Sequence, residues 1–243
     1  MPMTLPPGEP EAGPWRRVPL TALLELVLTA AGDPRGRPRV IAVDDRGAAG
    51  KSTLAARLCA LAPASAVVHT DDLAWHEPLF AWGHLLADDV LRPLHEGRTL
   101  SYRPPQWERR GRDGVIAVPA GSDVVIVEGT GASHREHGDL IDATVWVPSD
   151  SAEAEQRGIA RDVAAGENGD PDRAAAFWHE WMREELAFLA RQRPWRRACV
   201  VVNGTPRGRL GTDHVEIAPP PTAAAGDEAG HGVRREAGGT GAP

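Results

Sequence analysis

Residues 40–58 read VIAVDDRGAAGKSTLAARL. An apolar, β-type run, Arg39–Val43, feeds a glycine-containing polar loop, and the loop ends in Gly50-Lys51-Ser52-Thr53 at the start of a helical pattern. Strand, loop and helix in that order are the setting a phosphate-binding loop requires. Each residue type has a physical reason. Gly47 and Gly50 tolerate the backbone angles that turn several N–H groups inward around an anion. The helix that opens at Lys51 aims the positive end of its dipole at the same point. Lys51 can reach the β- and γ-phosphates of a nucleotide, the Ser52 hydroxyl can ligate Mg²⁺, and Thr53 can support the α-phosphate. The expected nucleotide-binding stretch is therefore Asp45, Arg46, Gly47, Ala48, Ala49, Gly50, Lys51, Ser52 and Thr53. Lys51 is also the single lysine of the chain. One position departs from the pattern G-x-x-x-x-G-K-[ST]: Asp45 stands where the first glycine belongs. Asp44 and Asp45 thus put two carboxylates near the expected polyphosphate, either to help hold Mg²⁺ or to weaken nucleotide binding.

Working outward, further short β-rich runs occur at Ala66–His69, Val124–Val127, Ala143–Val147 and Cys199–Val202. Helical patterns lie at Leu20–Ala31, Lys51–Leu61, Phe80–Arg92, Ser151–Ala165 and Pro171–Arg191. Near-continuous apolar strands fit a parallel sheet covered on both faces, and alternation with helices predicts a doubly wound α/β fold. A short run at Gly114–Val118 is expected to pair off the main sheet. Residues 1–14 are expected to be a flexible leader. The stretch from about 218 has almost no large apolar side chain, so a disordered tail is expected over 218–243. The folded domain is then 15–217.

Composition supports a globular domain: 42% of the 243 residues are hydrophobic and 25% charged. A formal charge of -7 speaks against a nucleic-acid-coating protein or a basic membrane anchor. The two cysteines, Cys59 and Cys199, are too few for a disulfide framework. The N-terminus lacks the basic and apolar regions of a signal peptide, and no apolar run reaches the length of a transmembrane helix. A cytoplasmic protein is expected, with no nucleic-acid or membrane partner; homo-oligomerisation stays open.

In open α/β sheets, ligands bind beyond the carboxyl ends of the strands. Asp71 and Asp72 end the run AVVHTDD, and Glu128 ends DVVIVE. A carboxylate at the first place can accept a proton from an attacking hydroxyl, and one at the second can bind Mg²⁺. An N-cap role for Asp71-Asp72 is the competing explanation.

Four segments, AVDDRGAAGKST, HTDDLAW, VIVEGTGA and EAEQRGIARD, resemble the uridine kinase / phosphoribulokinase-like branch of the P-loop kinases. The resemblance covers about Val40 to Val202. It implies a three-layer P-loop NTPase fold with a helical lid, and ATP- and Mg²⁺-dependent phosphorylation of a sugar hydroxyl, commonly that of uridine or cytidine. It makes Asp71 the catalytic base, with Asp72 beside it, and sets Glu128 at the metal with Ser52.

Arg157 and Arg161, four residues apart, share a helix face suited to a transferring phosphoryl group; pairing of Arg157 with Glu153 is the bland alternative. The acceptor region is expected between Asp71 and Glu128, with Asp72, Trp75, Tyr102, Arg103 and Trp107 as substrate-contacting candidates. Arg109, Arg110 and Arg112 add charge there that would suit a phosphorylated acceptor. Gln106-Trp107 departs from the family's usual motif, so a ribose phosphate or pantothenate-like acceptor stays open. Cytidylate kinase shares the style of the loop but not HTDDLAW. A nucleotide-binding ATPase or switch without an acceptor is the alternative of a different class. A GTPase is not, because no Asn-Lys-x-Asp occurs.

Overall fold

The computed structural model describes residues 2–166 and 168–221. In chain order the elements are β1 (Arg16–Pro19), α1 (Leu20–Ala31), β2 (Arg39–Asp44), α2 (Lys51–Leu61), β3 (Ser65–His69), α3 (Thr70–Ala74), α4 (Gly83–Leu85), α5 (Arg92–His95), β4 (Leu100–Tyr102), α6 (Pro105–Arg110), β5 (Ile116–Val118), β6 (Val124–Glu128), β7 (Ala143–Trp146), α7 (Ser151–Ala165), α8 (Pro171–Gln192), β8 (Val200–Val202) and β9 (His214–Ala218). A π-helical stretch, Leu86–Leu91, joins α4 to α5.

The apolar run of β2 shows why the layers form. Ile41 and Val43 pack with Leu23, Leu24, Leu54 and Leu58 of α1 and α2. Val40 and Ala42 point the other way, into a cluster with Leu73, Trp82, Leu86 and Val90. A strand buried on both faces reads as continuously apolar, which is the signature of a parallel sheet. Seven strands form the main sheet in the order β1-β9-β8-β7-β2-β6-β3. The run from β3 to β8 is parallel; β9 and β1 close one edge antiparallel. The doubly wound α/β architecture is as expected. Among the described residues, no helix is long and apolar enough to cross a membrane.

Several boundaries fall where the sequence places them, including Leu20–Ala31, Lys51–Leu61 and Ser151–Ala165. The helix expected over Phe80–Arg92 instead starts at Gly83 and continues to His95. Phe80 has φ 56°, a left-handed conformation that cannot lie within a right-handed helix. The run at Gly114–Val118 contributes Ile116–Val118, which pairs antiparallel with β4 in a separate two-stranded sheet. The edge strands β1 and β9 were not expected, because their mixed polar pattern, RRVP and HVEIA, carries little strand signal of its own.

Residues 2–14, expected as a flexible leader, are tied down. The Thr4 N–H donates to the Asp150 carboxylate at 2.8 Å, and the Ser151 N–H donates to the Thr4 carbonyl at 2.9 Å. Arg46 donates to a buried Glu9 carboxylate at 2.7 Å. The tail expected from 218 lies, from residue 222 on, outside the described residues.

Helices α7 and α8 cross where Gly158 meets Trp178. A Cβ at position 158 would lie 2.0 Å from the Trp178 ring. In an open helix, Gly→Ala stabilises by about 1 kcal/mol. Here the clash should outweigh that gain, since overpacking typically costs about 1–3 kcal/mol. Gly158→Ala is therefore expected to lower the melting temperature by a few degrees. A melt unchanged or raised would show that the two helices can slide apart without cost.

Candidate active site

The carboxyl ends of three adjacent strands set the floor of the site. Val43 of β2 lies opposite Glu128 of β6, and Glu128 lies opposite His69 of β3. The loop after β2 turns through two left-handed residues, Ala48 at φ 58° and Gly50 at φ 99°, before α2 begins at Lys51. Lys51 is buried, and its ammonium donates to the Arg46 carbonyl at 2.6 Å. The lysine charge is thus held by the loop's own backbone, beside the helix N-terminus. Ser52 and Thr53 are exposed on the first turn of α2.

This loop lines a cavity of about 1210 Å³, which also takes in Asp71, Trp75, Glu128, Arg157 and Arg161. Asp71 is exposed on the first turn of α3. Glu128 is buried and lies 2.5 Å from His69 Nδ1. That hydrogen bond is the main reason the His69 pKa is raised above its ordinary value. Arg157 donates to Glu153 at 2.8 Å and to the Gly204 carbonyl at 3.0 Å. Arg161 donates to Asp162 at 2.9 Å. Both arginines border the cavity while held by neighbours, so the Glu153 pairing and the lid position coexist.

Two sets of expected residues lie elsewhere. Asp44 and Asp45 do not present carboxylates to the cavity. Asp44 accepts from the Gly131 N–H at 2.9 Å, and from the Ser133 N–H and hydroxyl at 2.8 and 2.7 Å. It buckles the end of β2 to the segment after β6. Asp45 is fully buried, with no side-chain hydrogen bond to either carboxylate oxygen among the described residues, and burial pushes its pKa well up. Arg46 points beneath the loop, bonded to Glu9 and to the Ser149 carbonyl. The N-terminal segment supplies the counter-charge that turns Arg46 inward. The cavity-facing part of the loop is thus Gly47–Thr53.

Among the substrate candidates, the cavity takes Trp75 and leaves out Asp72, Tyr102, Arg103 and Trp107. Asp72 accepts from Arg112 at 2.6 Å, and the Arg112 guanidinium lies 3.7 Å from the Trp107 ring centre. Trp107 is buried and gives its indole N–H to the Asp72 carbonyl at 2.9 Å. Arg103 donates to the Arg112 carbonyl at 2.9 Å, and Tyr102 sits in the two-stranded sheet. The segment β4–α6–β5 is a brace behind α3 rather than a wall of the site. Arg109, Arg110 and Arg112 are likewise absent from the cavity walls.

The sequence reading missed the wall that replaces them. Helix α8 brings Phe177, Trp178, Trp181 and Glu185 to the cavity. Residues 178, 181 and 185 recur at helical spacing on one face, a signal present in the sequence. Phe80 stacks on Phe188 with centroids 4.4 Å apart and tilts against Trp181 at 5.5 Å. His76 and Phe80 both hold positive φ, 58° and 56°, a strain that marks functional loops. On the opposite side, Asn203, Gly204, Pro206, Leu210 and His214 complete the cavity. A Cβ on residue 204 would lie 2.4 Å from the Ala49 carbonyl, so this loop presses on the phosphate loop.

These residues fit a nucleoside triphosphate: loop amides, a helix N-terminus and a lysine lie together on the wall of a volume large enough for two small molecules. Among the described residues, no group of three or more His, Cys, Asp or Glu side chains could hold a metal. A Mg²⁺ here would rest on Ser52 and Glu128 with the nucleotide's phosphates supplying the remaining oxygens.

The "putative fructose transport system kinase" of Silicibacter sp. TM1040 matches with a TM-score of 0.50 at 22% identity, over 70% of this chain and 95% of its own. This chain has the P-loop kinase fold. The "possible uridine kinase" of Bacillus stearothermophilus matches with a TM-score of 0.47 at 18% identity, over 75% of this chain and 96% of its own. No protein-family model and no curated protein matches the sequence. In this fold the loop after β2 and the start of α2 line the cavity, and the paired helices α7 and α8 contribute Arg157, Arg161, Trp178 and Trp181 to it.

Proposed function

We propose that this chain is an ATP- and Mg²⁺-dependent small-molecule kinase whose acceptor is a nucleoside-like hydroxyl compound without a phosphate. The carrying observation is one cavity whose walls include the loop Gly47–Thr53, Asp71 and the aromatic side chains Trp75, Phe80, Phe177 and Trp181.

The residues divide the work. The loop amides from Gly47 on and Lys51 hold the β- and γ-phosphates, with the α2 N-terminus adding its dipole. Ser52 and Glu128 hold Mg²⁺, which neutralises phosphate charge when bound. Asp71 accepts the proton of the acceptor hydroxyl. Arg157 and Arg161 exchange their present partners for the transferring phosphoryl group. Trp75, Phe80, Phe177 and Trp181 offer flat apolar faces for a base or ring. An anionic acceptor is disfavoured because the arginines of residues 103–112 do not line the cavity, and Arg103 and Arg112 are engaged outside it.

The test is ADP release with Mg-ATP against uridine, cytidine, other nucleosides, CMP, ribose phosphates and pantothenate. A neutral nucleoside is expected to raise the rate far above acceptor-free hydrolysis. Equal hydrolysis with and without every acceptor would replace the kinase reading with an ATPase. Preference for a ribose phosphate or pantothenate would keep the kinase and overturn the neutral acceptor.

A further inference from the structure

Glu185 lies on α8 with none of its side chain exposed. Its two carboxylate oxygens both accept the Gly47 N–H, at 3.1 and 3.0 Å. Oε1 also accepts the Thr130 hydroxyl at 2.5 Å, and the Trp181 side chain adds a further hydrogen bond. Burial raises the pKa of this carboxyl, while the nearby Lys51 charge and these bonds oppose the rise. Three parts of the fold meet on this group: the phosphate loop through Gly47, the segment after β6 through Thr130, and α8. Helix α8 packs against α7, which carries Arg157 and Arg161, and the two helices form one arm.

Gly47 belongs to the loop whose N–H groups serve a bound phosphate. While Glu185 holds that N–H, it is not available to a ligand. The same carboxylate stands near Lys51, where phosphate charge would collect, and like charges repel strongly in a buried setting. We propose that Glu185 is a positioning residue that holds the Gly47 N–H of the phosphate loop, ties α8 to that loop, and releases it only for a nucleotide with a γ-phosphate. The movement of the arm is then coupled to that phosphate. The proposal rests on the nucleotide-binding reading above.

Charge at Glu185 should oppose ATP more than ADP. Glu185→Gln keeps the shape and a carbonyl to accept from Gly47 and Thr130, but removes the charge. Calorimetric titration of the full chain, with Mg²⁺ and no acceptor, should show the non-hydrolysable analogue AMP-PNP binding about tenfold tighter to the variant, a shift of about 1.4 kcal/mol, with ADP unchanged. A purely structural role would move both affinities together, and equal shifts, or none, would overturn the proposal.

A second readout needs no variant. Hydrogen exchange in the unaltered chain should quicken across residues 178–189 with AMP-PNP and not with ADP. The same exchange pattern with both nucleotides would also overturn the proposal, even if Glu185→Gln failed to fold. If the unaltered chain bound neither nucleotide, the nucleotide reading itself would fall and take this proposal with it. If it bound both without the predicted difference, only the role of Glu185 would fall.

Discussion

Lys51→Ala is expected to abolish measurable phosphoryl transfer while leaving the fold in place. The lysine is buried at the head of α2, and its ammonium bonds the Arg46 carbonyl at 2.6 Å. Removing it costs the resting structure one charge-assisted hydrogen bond, about 1.5–3 kcal/mol by general experience. It costs the reaction more. The ammonium is the only lysine charge the chain owns, and in the proposed reaction it meets the negative charge that spreads over the transferring phosphoryl group. Loss of one preorganised donor aimed at such charge typically lowers kcat by about 10²–10³-fold. Loss of a full positive charge in a water-poor site should do at least that. ADP release under saturating acceptor reads the effect, with circular dichroism and a thermal melt as fold controls. Full activity in a folded variant would remove the phosphate-loop assignment altogether.

Asp71→Asn should lower kcat by about 10²–10⁴-fold, the usual worth of a positioned general base. Asparagine keeps the size and can still accept a hydrogen bond from the acceptor hydroxyl, but cannot take its proton. ATP affinity should be largely preserved, so the loss falls on kcat and not on the nucleotide KM. Asp72→Asn is the matched control. Asp72 is held by Arg112 at 2.6 Å and does not border the cavity, so its neutralisation should barely touch kcat. The pair is part-exposed, and its stability cost should stay below about 1 kcal/mol. A large kcat effect at Asp72 with none at Asp71 would mean that the turn after β3 presents the other carboxylate when substrate is bound.

The contrast between these neighbours shows where sequence reasoning stops. Both aspartates follow the same strand, on the first turn of α3, and the sequence supports an acidic residue there without choosing a side chain. The choice comes from Arg112, forty residues on, which captures Asp72 and leaves Asp71 to the cavity. The same holds for Trp107. An aromatic residue between arginines suggests a stacking site, yet here its indole is the underside of α3.

The phosphate loop, the apolar parallel strands and the helices α1, α2 and α7 were legible because each is written in residues adjacent along the chain. Backbone propensity, glycine placement and burial on both faces act over a few residues, so a local pattern suffices. The cavity's selectivity was not legible. Glu185 reaches Gly47 across 138 residues, and Glu9 reaches Arg46 across 37. Such pairings are fixed by how α8 and the N-terminal segment pack onto the sheet, and no periodicity along one element encodes them. The sequence by itself determined that this chain builds a strand, a glycine-containing loop and a helix in series on a doubly wound sheet. Only the tertiary structure decided which carboxylates are buried, which face the cavity and which hold the loop, because burial and distant counter-charges set the state of an acid, not its place in the chain.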